Sequence, residues 1–311
     1  MTTTPCDVCG KAPTRRIRAI GDTWIVRCRR CGLAFLHPRP TDDQLRRFYT
    51  DEYYQSRDPL AHGYEDYDAL SPSLEHMAKV KLAVVRSHVK AGKLLDVGAA
   101  YGSFVREAAR AGFDARGVEL SEHAAQIARN RTGAPVAAGD IFSISPSEGP
   151  FDAITMWDVL EHTPDARAAL AAAADLLAEG GCLFATVPDA ASLIARFMGS
   201  SWFGFQKLEH TYYFTPRTIT SLLRDVGLED VRCHAASWSC TASYIARRLA
   251  HYNSALAAAA LALLDLAGLA DATIDFRWID MLVTARKPGK GGQAYLKRGS
   301  GLLIEEPTDA P

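Results

Sequence analysis

Past residue 92 the chain alternates short apolar runs with longer stretches whose apolar residues recur every three or four positions. The short runs predict strands and the periodic stretches predict helices. Lys93-Leu94-Leu95 leads a strand that stops at Asp96, and Ser103–Arg110 reads as a helix. Phe113–Leu120 is a second strand, Ser121 caps a helix to Arg131, and Val136–Ala138 is a short third strand. Phe151 opens a fourth strand. A helix from Thr163-Pro164 to Ala178 stops at Gly180-Gly181, before a fifth strand over Cys182–Val187. Thr215-Pro216 starts a helix with Ile219, Leu222, Leu223 and Val226 on one face, Leu228–His234 is a strand, and Ile274–Ala285 is the last. Such alternation predicts an α/β fold with a mostly parallel sheet, the last strand entering antiparallel at the sheet edge.

The remainder is patterned differently. Arg15–Ile20 and Thr23–Arg27 read as a hairpin turning at Gly21-Asp22. Pro38-Arg39-Pro40 ends that unit, and Thr41 caps a helix carrying Leu45, Phe48 and Tyr49. Pro72–Val89 is a helix with Leu74, Met77, Val80, Lys81, Val84 and Val85 on a face; Tyr49, Tyr53, Tyr54, Tyr64 and Tyr67 make a lid or packing for the linker before it. Ala242–Ala270 is Ala/Leu-rich and reads as two helices broken near Tyr252-Asn253, either a cap on the crevice or a homodimer surface. The expected organisation is a unit over 1–40, a helical linker or lid over 41–90, the α/β domain over 91–287 with a helical insertion at 242–270, and a loose tail over 288–311.

Two cysteine pairs, Cys6-x-x-Cys9 and Cys28-x-x-Cys31, lie 18 residues apart, each followed by glycine. Four thiolates so spaced suit one tetrahedral Zn²⁺, which makes the first 40 residues a zinc ribbon; a redox or disulfide pair is the alternative. Residues 1–50 hold ten Lys/Arg against four Asp. That surplus fits compensation of the thiolate charge, a phosphate-bearing small substrate, or a nucleic-acid footprint, and few aromatics are interleaved to stack on bases. The net charge of −1 exerts no general pull toward nucleic acid or an anionic membrane. There is no apolar leader and no membrane-length apolar run. Seven cysteines without a secretory signal point to a reducing, cytoplasmic setting.

The segment Leu94-Leu95-Asp96-Val97-Gly98-Ala99-Ala100-Tyr101-Gly102 joins a strand to a helix through a glycine turn. Backbone N–H groups and the positive end of a helix meet there. The acid at the strand end would repel a pyrophosphate and welcome an ammonium group. Asp-x-Gly-x-x-x-Gly resembles the first motif of class I S-adenosylmethionine (SAM) methyltransferases, with Ala100 where a middle glycine might stand. Glu119 follows Asp96 by 23 residues, the place of an acid that binds both ribose hydroxyls. The resemblance implies a Rossmann-like seven-stranded sheet and SAM as cofactor. It implies that Asp96 and the Gly98, Ala99, Tyr101 and Gly102 turn hold the methionine end, Glu119 and Leu120 the ribose, and Asp140 and Ile141 the adenine. Phe151–His162 resembles the family's fourth motif, which places Trp157, Asp158, Val159 and His162 at the methionine end.

Acceptor chemistry is expected after the fifth strand. Phe197, Met198, Trp202, Phe203 and Phe205 suit a substrate wall, and Glu209-His210 supplies a base, with Glu209 holding the His210 tautomer or acting beside it. A packed structural histidine is the alternative. The Cys28–Pro40 segment together with Glu209-His210 resembles C-methyltransferases of nucleotide-linked keto-sugars, which carry a further C-terminal domain. The expectation is a cytoplasmic Zn²⁺-containing enzyme that methylates an O or C atom of a small molecule, a sugar nucleotide or natural-product precursor. RNA methylation with the ribbon as clamp, and a non-enzymatic SAM-binding scaffold, are the alternatives.

Overall fold

The computed structural model describes residues 3–47, 54, 71–205, 209–251 and 253–289. Its larger sheet has seven strands: β5 (Lys93–Val97), β6 (Asp114–Glu119), β7 (Val136–Ala138), β8 (Phe151–Trp157), β9 (Leu177–Pro188), β11 (Glu229–Thr241) and β12 (Thr273–Arg286). Their order is β11-β12-β9-β8-β5-β6-β7. The pairings among β5 to β9 are parallel, whereas β12 is antiparallel to both neighbours. β12 therefore sits inside the sheet, with β11 at the edge beyond it, and not at the edge itself as the sequence suggests. The chain returns from β11 through two helices and re-enters the gap beside β9.

Local signals account for the crossovers. Ser121 caps α4 (Glu122–Thr132) by accepting from Ala124 N, and Gly133 ends it in the left-handed conformation. Asp165, one residue past Pro164, caps α5 (Ala166–Leu176). That helix stops before Ala178 because β9 begins at Leu177 and runs through the two glycines. Thr215 and Thr218 form a reciprocal capping box on α7 (Pro216–Asp225). Helices α2 (Ser71–His88) and α3 (Ser103–Arg110) precede and follow β5. Val85, Leu94, Val105, Ala108, Ala153 and Phe184 join one buried cluster; Ile154, Leu170, Leu183, Phe214 and Leu222 belong to another.

The N-terminal unit is a sheet of β1 (Thr3–Cys6), β2 (Gly10–Ile20), β3 (Thr23–Cys28) and β4 (Ala34–His37), and its fifth strand comes from far down the chain. That strand, β10 (Tyr212–Tyr213), pairs Tyr212 with Phe35 and Tyr213 with Ala34. Thr41 and Gln44 form a capping box on α1 (Asp42–Arg46). Tyr49, Tyr53, Tyr64 and Tyr67 of the expected lid, and the tail beyond residue 289, lie outside the described residues. The insertion forms α8 (Ala242–Arg248) and α9 (Ser254–Leu266), and Leu256, Leu263 and Leu266 on α9 are exposed. Among the described residues no helix is long and apolar enough to cross a membrane.

Candidate active site

The strand ends of β5, β6, β7 and β8 meet at one side of the sheet. The β5–α3 turn contains three left-handed residues, Gly98 (φ 76°), Ala100 (φ 46°) and Gly102 (φ 78°). A Cβ on Gly98 would lie 2.5 Å from Val159 Cγ2, so glycine is what lets the turn close against the exit of β8. Ala100 adopts a glycine-like conformation with a methyl group attached. The N–H groups of Gly98 and Ala99 donate to Val118 O at 2.8 and 3.1 Å, and that of Ala100 to Glu119 Oε2 at 2.8 Å. These three donors brace the turn against β6.

Asp96 is buried at the end of β5, where Thr155 Oγ1 donates to its Oδ1 at 2.6 Å. Burial pushes its pKa up to about 7, while the Thr155 bond and the Lys81 charge pull the other way. Glu119 is also buried, and burial raises its pKa. Its Oε1 accepts from Tyr54 Oη at 3.2 Å and Ser121 N at 3.0 Å. Tyr54 stacks on Tyr101 with centroids 5.0 Å apart, and the Arg131 guanidinium lies 5.3 Å from the Tyr101 ring centre. Leu120 is half-buried beside them. At β7, Asp140 Oδ1 accepts from Phe142 N at 3.1 Å and caps a 3₁₀ turn. That turn points Ile141 into the core, 3 % exposed, and leaves Phe142 58 % exposed. The exposed apolar surface next to Asp140 is thus Phe142, and not Ile141 as expected.

At the exit of β8, Trp157 is buried edge-on to Phe104, and Lys81 Nζ lies 5.1 Å from the Trp157 ring centre. Asp158 is left-handed (φ 59°); Thr186 Oγ1 donates to its Oδ1 at 2.7 Å, and Lys81 Nζ lies 3.5 Å from its Oδ2. Lys81 is a functional candidate that periodicity hides, since it falls on the apolar face of its helix. Asp280 on β12 is a second, its pKa raised to about 7 by burial and by Asp158.

The His162 ring meets that of His210 edge-on, 4.8 Å between centroids, at one corner of the site. Glu161 completes the corner: it is 1 % exposed, its Oε1 is 3.9 Å from His162 Nε2, and its Oε2 is buried without a hydrogen-bond partner among the described residues. Burial, reinforced by the Asp158 charge, raises the Glu161 pKa well above the usual carboxylate range. Potential ligand atoms of Glu161, His162 and His210 lie within 4.8 Å of one another. Two imidazoles and a carboxylate suit proton transfer or a divalent cation. His210 Nδ1 is 3.2 Å from Gly204 O. A carbonyl only accepts, so Nδ1 is the donor in this contact, and in the neutral ring the lone pair falls to Nε2. The tautomer is thus set by Gly204 O. Glu209 is buried, close enough that its charge raises the Tyr213 hydroxyl pKa after burial has done most of that.

The expected aromatic wall divides. Trp202, Phe205 and Tyr213 are buried against one another and against Ile25, Ala34 and Leu36, so they are core on the N-terminal sheet and not a substrate wall. Phe197 on α6 (Leu193–Met198) is 94 % exposed and Met198 is half-buried, while the Phe203 side chain lies outside the described residues.

In the N-terminal sheet, Cys6 Sγ is 3.5 Å from Cys31 Sγ, and Cys9 Sγ is 3.4 Å from Cys28 Sγ. All four sulfurs lie within 4.8 Å of one another. The separations far exceed a disulfide bond of about 2.05 Å. They approach the roughly 3.8 Å between two sulfurs on one tetrahedral zinc with Zn–S of about 2.3 Å. The bond from Cys31 pulls the Cys6 thiol down to about 5.

Residues 70–233, more than half of the chain, match the family model described as Methyltransferase domain. A Ubiquinone biosynthesis O-methyltransferase of Thiobacillus denitrificans is 30% identical over 188 residues, 55% of this chain and 79% of that protein. One of Methylococcus capsulatus is 32% identical over 132 residues, 40% of this chain and 56% of that protein. A SAM-dependent methyltransferase structure from Thermotoga maritima superposes with a TM-score of 0.49 at 18% identity, covering 71% of this chain and 94% of that one.

Proposed function

This chain belongs to the methyltransferase-domain family and is a SAM-dependent methyltransferase; from that premise we propose that it methylates an oxygen atom of a small organic molecule. The similarity to the two O-methyltransferases supports oxygen over carbon or nitrogen. A sugar nucleotide or a natural-product precursor is the acceptor class. RNA is less well supported, because Arg39 pairs with Asp7, Arg18 donates to Ser200 O at 2.6 Å, and Arg16 lies over Trp24, leaving less charge for a phosphate backbone.

The cofactor fits the strand ends on one internal stand-in: the Tyr54 hydroxyl on Glu119 holds the place that a ribose hydroxyl would take. Glu119 and Leu120 take the ribose, Asp140 and Phe142 the adenine. Asp96, the turn from Gly98 to Gly102, Trp157, Asp158 and Val159 take the methionine end, where Lys81 pairs with the carboxylate. Bound SAM supplies a methyl group on a positive sulfur, open to in-line displacement. The protein's part is alignment and removal of the acceptor proton. His210 receives that proton at Nε2, while Gly204 O keeps Nδ1 protonated. Zinc is the ion for the four thiols, with Cys6, Cys9, Cys28 and Cys31 as its ligands. The exposed leucines of α9 suit a second copy of the chain.

The observation that carries this reading is the His210 ring, fixed in one tautomer and set edge-on to His162 at the exit of the cofactor motif. Screening nucleotide-linked sugars and phenols with methyl-labelled SAM identifies an acceptor. With it, His210→Ala lowers kcat by about 10²–10³ and leaves SAM affinity unchanged. Full turnover in that variant removes His210 as the base.

A further inference from the structure

The segment carrying the acceptor-side histidine is held by the cysteine ribbon. Asp7 lies between Cys6 and Cys9, inside the first metal-gripping turn. Its carboxylate accepts from the Tyr212 hydroxyl and, at 2.5 Å, from Arg39 Nη2. Its main-chain carbonyl accepts from Arg167 Nε at 2.6 Å, which ties the same turn to α5. Tyr212 stands two residues past His210, and its hydroxyl is also 3.1 Å from Pro164 O, two residues past His162. Thr211 bridges the two sides through its backbone: its carbonyl accepts from Leu36 N of the ribbon at 2.9 Å, and its N–H donates to Glu161 O at 2.6 Å. Tyr213 continues β10 on β4, and its ring lies 6.3 Å from that of His210.

The cofactor carboxylates are anchored differently. Asp96 accepts from Thr155, Glu119 from Ala100, Ser121 and the Tyr54 hydroxyl of the linker, and Asp140 from Phe142, none of these donors belonging to the ribbon. One half of the site is thus braced by the large sheet, and the other is suspended between that sheet and the ribbon.

We propose that Tyr212 and Asp7 are positioning residues, which transmit the metal-held geometry of the cysteine turns to His210. This rests on the reading of His210 as proton acceptor and of zinc at the four thiols. Neither residue touches the reacting atoms. The ring of Tyr212 packs parallel to Phe214 at 5.5 Å, so removing the hydroxyl alone leaves the strand and its packing in place. Coupling through the Asp7–Tyr212 bond is reciprocal: loosening the histidine side also loosens the metal side.

The test uses full-length zinc-loaded protein and Tyr212→Phe, with three readings. Zinc release to a chromophoric chelator accelerates about tenfold, the size expected for loss of one hydrogen bond to a charged group. The titration midpoint of the His210 ring, followed by NMR, shifts. SAM affinity by calorimetry stays within about twofold, since the cofactor half is braced elsewhere. Asp7→Ala produces the same pattern with the added loss of its Arg39 pair, and the effects are less than additive in the double variant, because both substitutions remove the Asp7–Tyr212 bond. Unchanged zinc release together with an unchanged His210 titration overturns the proposal, as does a loss of SAM affinity equal to the other effects, which marks Tyr212 as merely structural. The outcome is separable from the reading it rests on: an active His210→Ala variant refutes the base, whereas the zinc-release arm still reports the joint.

Discussion

At the scale of single residues, the account turns on carboxyl groups held out of water. Asp96 is the clearest, with its pKa pushed to about 7 by burial while Thr155, Lys81 and Glu119 act on it from neighbouring elements. Between the ordinary carboxylate range near 4 and that value, the folded chain keeps a proton that the unfolded chain has released. Raising the pH across this window therefore removes stability. The cofactor's ammonium group favours the ionised carboxylate, so SAM affinity rises through the same window and levels off above it. At pH 6 the affinity is roughly tenfold below its plateau, one pKa unit being a factor of ten. Calorimetric titrations between pH 5.5 and 8.5 check this, and a flat profile contradicts a carboxylate partner for the ammonium group. Such a group is legible as an acid at a strand end. That Thr155 covers it is not, because the contact joins residues 59 positions apart.

At the scale of elements, the β5–α3 turn shows how a motif can depart from its pattern and keep its shape. Ala100 sits at φ 46°, a conformation that costs an L-residue roughly 1–2 kcal/mol, and its N–H still reaches Glu119. Glycine there relieves that strain but gives up about 0.5–1 kcal/mol of chain entropy. Ala100→Gly is therefore expected to stabilise the protein by about 0.5–1 kcal/mol, seen as a higher melting temperature. A lower melting temperature contradicts a strained turn. Element types were readable here because strands and helices announce themselves by period and by caps such as Ser121 and Thr215. Alanine and leucine favour a helix through residue 178, but pairing with β8 claims Leu177 for β9 and ends α5 at Leu176. The aromatics from Phe197 to Phe205 carry no periodic mark, so sequence alone does not separate the buried Trp202 and Phe205 from the exposed Phe197.

At the scale of the whole molecule, two sheets share one chain. The zinc-type spacing of Cys6, Cys9, Cys28 and Cys31 marks the N-terminal unit as separate, yet β10 closes its sheet from residues 212 and 213. No local pattern foretells that closure, since a two-residue strand has no period. The same long-range closure carries His210 toward His162 and makes Glu161 part of the site. Asp96, Glu119 and Asp140, the acids proposed for the cofactor, lie at or just past the ends of three successive strands. What their surroundings add is the Tyr54 hydroxyl on Glu119 and the exposed ring of Phe142.

In the proposed site these strand ends hold SAM, with Glu119 on the ribose. Calorimetric titration of the purified protein with SAM at pH 8, alongside Glu119→Ala, tests it most directly. One equivalent is expected to bind per chain, with a weakening of about 1.5–3 kcal/mol in the variant from the lost charge-assisted bonds. No heat with the native chain, or equal affinity in the variant, contradicts it.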